Sequence, residues 1–203
     1  MIEVEIKVRI LDPDIMRKKF EESQGSYKIS LIHEDMYYNM PKGLRDFKST
    51  DEALRLRQSI SFNKKNSQKE KKIKNYITYK GQKLDKISKT REEIDIQIED
   101  VSKMKKILGA LGFQEVLTVK KERELYELKF KDYKIEALID YLPVLNQHFI
   151  EVEYLSETEE EIERARNLLF DFLSMLGIPK SDSITKSYLE LILEKKEMEK
   201  KLV

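Results

Sequence analysis

The chain has 203 residues, room for one domain with a buried core or one built from two similar halves, and its 38% charged residues cancel to a formal net charge of +1. That balance excludes a uniformly polybasic surface for nucleic acid. With no cysteine and only His33 and His148 for imidazole, disulfides and thiolate sites are excluded, and a metal must rest on carboxylate oxygens, favouring magnesium, manganese or calcium over zinc.

The opening MIEVEIKVRI alternates from its second residue. Ile2, Val4, Ile6 and Val8 share one face and Glu3, Glu5, Lys7 and Arg9 the other, the period of a strand with one apolar and one polar side. No apolar stretch follows a basic head and no apolar run approaches a membrane span, so the expectation is a soluble cytoplasmic protein. LDPDIMRKKFEES follows as a helix capped by Asp12, with Pro13 at its first position, Ile15, Met16 and Phe20 on its stripe and Gly25 at its close. KISLIHEDMYYN is a strand broken by Pro41 and Gly43. EALRLRQSI and IKNYITYKG are strands joined by NKKNSQKEKK, a solvated, mobile loop with the position to close over a ligand.

REEIDIQIED alternates sharply, with Ile94, Ile96 and Ile98 opposite Glu93, Asp95, Gln97 and Glu99. VSKMKKILGALGF is a helix ending near Gly112, and EVLTVKKERELYELKF supplies two strands or one long bent strand. YKIEALIDYL and HFIEVEYL are strands around a short loop at Pro143. The tail holds the helix TEEEIERARNLLFDFLSMLG, a break at Pro179 and the helical SITKSYLELILEKKEMEK. Leu168, Leu169, Phe172 and Leu176, then Leu189, Ile192 and Leu193, form apolar stripes that suit covering a barrel and equally suit a homodimer contact.

Two halves, about 1–99 and 100–203, each hold strands with acidic pairs and a connecting helix within one domain. About eight antiparallel strands with so few helices point to an α+β fold, a closed or nearly closed barrel covered outside by helices. Leu54 and Leu56 oppose Arg55 and Arg57; Val152 and Tyr154 oppose Glu151 and Glu153; Ile135, Ala137 and Ile139 oppose Glu136, Leu138 and Asp140. If the apolar faces pack beneath the helices, the charged faces line the interior. Taken singly, LRLR or EVE is ordinary surface decoration; recurrence along the chain is what points inward.

Buried charge is costly unless it is paired or engaged by a ligand. Candidate cations are Lys7, Arg55, Arg57, Lys80, Arg91, Lys121 and Arg123; candidate carboxylates are Glu3, Glu5, Glu93, Asp95, Asp140, Glu151 and Glu153. Such a mixed set suits a polyanion bound with a divalent cation, the guanidinium and ammonium groups on phosphate oxygens and the carboxylates on the metal.

These residues carry a family resemblance. Glu3, Glu5 and Lys7 match an opening Glu-x-Glu-x-Lys; Asp35, Tyr37 and Tyr38 match an aspartate before an aromatic pair; Leu54 to Arg57 match LRxR; Thr78, Lys80 and Gly81 match TxKG; Arg91 and Glu93 match RxE. Leu111, Gly112, Phe113, Val119, Lys121, Arg123 and Tyr126 match the second-half pattern, Asp140, Glu151 and Glu153 the D…ExE ending, and Ser187, Tyr188, Glu190, Leu191 and Ile192 echo a C-terminal SYxELL. In this order, across almost the whole chain, the series resembles the CYTH family of triphosphate tunnel metalloenzymes, most of all its class IV adenylyl cyclase and thiamine triphosphatase branch. YLPVLNQHF after Asp140 departs from the acid and Leu-Gly that many relatives carry there.

The resemblance implies an eight-stranded tunnel for a triphosphate with one or two magnesium or manganese ions. Arg55, Arg57, Lys80, Lys121 and Arg123, with Arg91 beside them, would hold phosphate; Glu3, Glu5, Glu151 and Glu153, with Asp140 and Glu93 nearby, would hold metal. Lys7, grouped with Glu3 and Glu5 as the catalytic set, would neutralise them, touch phosphate or assist proton transfer. Cyclisation of ATP to cAMP and pyrophosphate leads, because the short single domain and whole-chain pattern resemble the cyclase subgroup; hydrolysis of inorganic or thiamine triphosphate is the alternative. A non-catalytic module for nucleotides or polyphosphate comes third, since a pure phosphate sensor needs mostly cations. His33 shares the polar register of Asp35, and Tyr126, Tyr154 and Tyr188 read as packing groups with a polar handle.

Overall fold

A computed structural model of the chain describes residues 2–64, 70–84 and 87–201. Residues 65–69 of the lysine-rich loop, and with them the expectation that this loop closes over a ligand, lie outside the described residues. Eight strands form one closed antiparallel barrel: β1 Ile2–Ile10, β2 Ser26–Asn39, β3 Ala53–Phe62, β4 Lys72–Lys83, β5 Arg91–Ile98, β6 Gln114–Phe130, β7 Tyr133–Leu142 and β8 Gln147–Ser156. Their order around the barrel is β1-β5-β4-β3-β2-β6-β7-β8. β6 is one long strand, and shifts in its register against β2 at Tyr27/Ile29 and Tyr37/Tyr38 let it bend.

The barrel is inside out relative to an ordinary core, as the alternation requires. Helices α1 Pro13–Glu22 and α3 Ile162–Met175 lie on the outer faces of β1, β7 and β8, where Val4, Ile6, Val8, Ala137, Ile139, Ile150 and Val152 meet Phe20, Leu169 and Phe172. Replacing Phe172, fully buried there, by alanine is expected to cost about 3–5 kcal/mol. Asp12 caps α1, its carboxylate accepting from the amides of Asp14 at 2.8 Å and Ile15 at 3.2 Å. Ile15 itself, expected on the buried stripe, is 52% exposed; Met16 and Phe20 alone carry that contact.

Helix α2 Val101–Ala110 packs Leu108 on Met36, Tyr38 and Leu56, on the outer faces of β2 and β3. It ends in Gly112 at φ +86°, with the Phe113 and Gly112 amides donating back to the carbonyls of Leu108 and Gly109, a closing turn that needs a left-handed residue. The helical cover is incomplete beside it: Ile94 and Ile96 on β5 remain 50% and 57% exposed.

The seam that closes the barrel positions the site. β1 pairs with β8 along its whole length but with β5 only at Ile2↔Glu92 and Glu3↔Arg91. Beyond that point the amide of Lys89 donates to the carbonyl of Glu5, and the amide of Ile184 to that of Lys7, next to a bridge between Val8 and Ser183. The segment 183–187, expected to be helical, therefore runs extended along β1. Helix α4 Tyr188–Lys201 starts after it, where Ser187 and Glu190 exchange side-chain and backbone hydrogen bonds as a capping box. Its first turns insert Tyr188, Leu191 and Ile192 against Val119, Leu142 and Phe149 and cork one end of the barrel with apolar side chains.

Candidate active site

Above that cork the interior is charged. In-register pairing sets Asp35 of β2 against Arg57 of β3, and the Arg57 guanidinium grips both carboxylate oxygens at 2.6 and 2.7 Å. Arg55 reaches Asp35 at 3.8 Å and donates to the Thr78 hydroxyl at 3.0 Å. Burial alone would raise the Asp35 carboxyl; Arg57 and then Arg55 outweigh it and hold it well below the usual carboxylate range. Lys80 pairs with Glu93 across β4 and β5. Arg91 donates to the carbonyls of Asp51 and Gly81.

On the opposite wall, Arg123 of β6 binds Asp140 of β7 through two bonds of 2.7 and 2.6 Å and also reaches Glu151. Lys121 at 3.5 Å and the Tyr188 hydroxyl at 2.8 Å complete the surroundings of Asp140. Glu151 is ringed by Arg123, by Lys7 at 3.0 Å and by Lys89 at 3.6 Å. These cations overcome the cost of its burial and hold Glu151 well below its ordinary range. Lys7 is 0% exposed, lies 3.6 Å from the centre of the Tyr188 ring and donates to the Lys186 carbonyl at 3.2 Å. Burial, then the neighbouring Lys89, push Lys7 down to about 7.

A second acidic group is met differently. One carboxylate oxygen from each of Glu3, Glu5 and Glu153 lies within 4.8 Å of the others, as the register Glu5↔Glu153 on β1 and β8 dictates. Among the described residues Glu3 has no ion pair, and Glu153 has only Arg123 at 3.8 Å. Burial and then Glu151 raise Glu5 to about 7, and burial and then Glu3 raise Glu153 well above its usual range. A trio of oxygen donors crowded together and short of positive charge fits a divalent cation of the magnesium or manganese kind.

One cavity of about 630 Å³ joins the two walls. Of the residues expected in the site, it is lined by Glu3, Glu5, Arg55, Arg57, Lys80, Arg91, Glu93, Lys121, Arg123, Glu151 and Glu153. Lys7 and Asp140 lie behind that lining, both fully buried. Of the six carboxylates expected to hold metal, Glu3, Glu5 and Glu153 converge, Glu5 with one oxygen also on Lys89, whereas Glu151, Asp140 and Glu93 are engaged by basic side chains. The same cavity is also lined by Tyr37, Phe47, Val116, Leu189 and Leu193, from β2, the 40–52 segment, β6 and α4. Asn39 folds that segment, its side-chain oxygen accepting from the amides of Met40 and Phe47.

Two contributors lie outside the expected site. Lys89 follows no strand alternation that would reveal its direction, and Tyr188, expected to pack with a polar handle, places that handle on a buried carboxylate of the site. His33 lies inside the barrel, its Nδ1 without a hydrogen-bond partner among the described residues. Burial, then Arg57, lower its pKa strongly and keep the imidazole neutral.

The model of the CYTH domain matches residues 1–188. The chain belongs to the CYTH family. Among CYTH-like relatives, a provisionally assigned adenylate cyclase of Methanocaldococcus jannaschii is 40% identical over 94% of this chain and 98% of its own. The PH1819 protein of Pyrococcus horikoshii OT3 superposes with a TM-score of 0.80 at 39% identity, over 95% of this chain and 99% of that one. A second protein of that organism, PH1012, gives 0.70 at 25% identity over 94% and 99%. The CYTH tunnel and its acidic trio are consistent with catalysis on a triphosphate. Among the described residues no helix is long and apolar enough to cross a membrane.

Proposed function

We propose that this CYTH protein is a metal-dependent enzyme that converts ATP to cAMP and pyrophosphate. The observation that carries the reading is one cavity whose lining joins the cationic walls and the Glu3, Glu5 and Glu153 trio to the apolar side chains of Tyr37, Phe47 and Leu189. Those side chains offer an organic group a place that inorganic triphosphate does not need. The resemblance to a relative provisionally assigned as an adenylate cyclase points the same way.

In this reading Arg55, Arg57, Lys80, Lys121 and Arg123 hold the phosphate oxygens, and Arg91 and Glu93 frame the same wall. Glu3, Glu5 and Glu153 would hold the divalent cation, which would supply charge neutralisation and ease loss of the hydroxyl proton. The ribose 3′-oxygen attacks the α-phosphorus, the bond from that phosphorus to the bridging oxygen breaks, pyrophosphate leaves and the hydroxyl proton passes to solvent. Pre-aimed cations stabilise the charge that builds on the leaving group without having to reorganise. Lys7 does not line the cavity, so it acts by setting the charge of Glu5 and Glu151 rather than by touching phosphate. Asp140 orients Arg123 and Lys121.

The test offers ATP, inorganic triphosphate and thiamine triphosphate separately, with magnesium and then manganese, and resolves the products. cAMP with pyrophosphate, lost in Arg57→Ala, is the expected result. Orthophosphate alone would reassign the same tunnel to hydrolysis, and binding without turnover would make the protein a triphosphate receptor.

A further inference from the structure

Lys89 stands beside the acidic trio without belonging to a strand. Its ammonium bonds to Glu5 at 2.5 Å and reaches Glu151 at 3.6 Å, so it bridges two carboxylates from neighbouring strands. The backbone holds it there. Its own amide donates to the Glu5 carbonyl at 3.0 Å, and the carbonyl of Thr90 accepts from Leu84 at 2.8 Å. The flanking Ser88 and Thr90 are buried and their hydroxyls meet at 2.6 Å. A surface lysine swings freely on a long stem; this one has its main chain pinned on both sides and its side chain 11% exposed.

Two metals that share a reaction centre sit about 3.5–4 Å apart and are bridged by carboxylates. In this barrel Glu5 of the trio and Glu151 are carboxylates on neighbouring strands close enough for one ammonium to span, and so the pair a second cation would share. Lys89 already bridges them, and Lys7 approaches the same two from the other side, at 4.0 Å from Glu5 and 3.0 Å from Glu151. A further divalent cation there would face two ammonium groups, while the oxygens of Glu151 are already occupied by Lys7, Lys89 and Arg123. We infer that Lys89 is a fixed ammonium standing where a second divalent cation would bridge Glu5 and Glu151, so that this chain provides one divalent site and not two. The inference rests on the reading that Glu3, Glu5 and Glu153 hold a divalent cation. Lys89 is then a positioning residue: it ties one oxygen of Glu5 to Glu151, and leaves Glu3, Glu153 and the other oxygen of Glu5 as the place where metal enters.

The test counts ions and does not need turnover. Manganese is titrated into the full chain after chelation, without nucleotide; the electron paramagnetic resonance signal of free manganese gives the stoichiometry, and the bound spectrum shows whether ions are coupled. One magnetically isolated ion per chain is expected for the wild type, with affinity weakened more than about tenfold in Glu3→Gln. Lys89→Gln, which frees Glu5 of its close ammonium and leaves Lys7 at 4.0 Å, is expected to bind two ions with coupled spectra, and Lys89→Arg to keep one. Two coupled ions in the wild type, or one ion in a folded Lys89→Gln, would overturn the inference while leaving the metal reading standing. No bound manganese in the wild type would overturn the metal reading itself and this inference with it. Should Lys89→Gln fail to fold, the counts for the wild type and Lys89→Arg decide.

Discussion

Two groups of acidic side chains share the interior of this barrel and differ in how their charge is met. Asp140 and Glu151 are surrounded by Arg123, Lys121, Lys7 and the Tyr188 hydroxyl, and their oxygens are spoken for. Glu3, Glu5 and Glu153 crowd within 4.8 Å; Glu5 has Lys89 and, at 4.0 Å, Lys7, Glu153 has only Arg123 at 3.8 Å, and Glu3 has no ion pair among the described residues. The first arrangement is complete without a ligand; the second is not. Burial of a carboxylate therefore does not by itself mark a binding group. What separates scaffold from site is whether the folded chain has already neutralised it.

The largest expected effect tests the scaffold side. Asp140→Ala would leave Arg123 and Lys121 buried without their main carboxylate, and removing one partner of such a pair typically costs about 3–5 kcal/mol. Urea denaturation should show that loss. Glu3→Gln removes a carboxylate that has no ion pair among the described residues, so its stability should stay within about 0.5 kcal/mol of the wild type while activity falls by about 100-fold. A Glu3→Gln protein as destabilised as Asp140→Ala would erase the distinction.

The next effect tests the site side. Binding to the native state alone stabilises by mass action, and manganese at 100 times its dissociation constant should add about 2.7 kcal/mol. That gain should appear as a rise in melting temperature in the wild type and in Asp95→Asn, and disappear in Glu153→Gln. Asp95 is the control because its carboxylate accepts from the Thr78 hydroxyl and stands outside the trio. An equal rise in Glu153→Gln would place the ion elsewhere.

How much of this was legible beforehand follows from where each residue sits. On β1, β3 and β8 a period of two told which side chains share a face, so Glu3, Glu5, Arg55, Arg57, Glu151 and Glu153 could be assigned to one interior before any coordinates. Saturation could not be read, because it depends on which residue faces which across β6, β7 and β8. Arg123↔Asp140 is a matter of register between strands, and local alternation carries no register. Lys89 was invisible because its segment has no period, and its direction follows from a backbone bond to Glu5 on the far end of the chain. The start of α4 was displaced for the same reason: local helical pattern lost to the bond between Ile184 and Lys7. Ile94 and Ile96 alternate as cleanly as any residues in the chain, yet no helix reaches them, since their burial depends on where α2 docks.

The smallest expected effect concerns a third kind of buried titratable group, one kept neutral instead of paired. His33 is 4% exposed, its Nδ1 lacks a partner among the described residues, and burial followed by Arg57, Lys121 and Arg123 depresses its pKa far below the ordinary 6.5. The native imidazole therefore stays unprotonated while the unfolded one takes up a proton below pH 6.5, so the unfolded state binds more protons. Stability from this group is fully present above pH 6.5 and declines as pH falls, by about 1.4 kcal/mol per unit. His148 is shifted the same way but is less buried, so it adds to the trend with smaller weight. His33→Gln cannot take that proton in either state. Urea midpoints measured at pH 7, 6.5, 6 and 5.5 should fall more steeply for the wild type than for His33→Gln, and His148→Gln should keep most of the wild-type slope. Parallel curves for the wild type and His33→Gln would mean that the imidazole is charged inside the barrel, and that the cations around it have a further anion to meet.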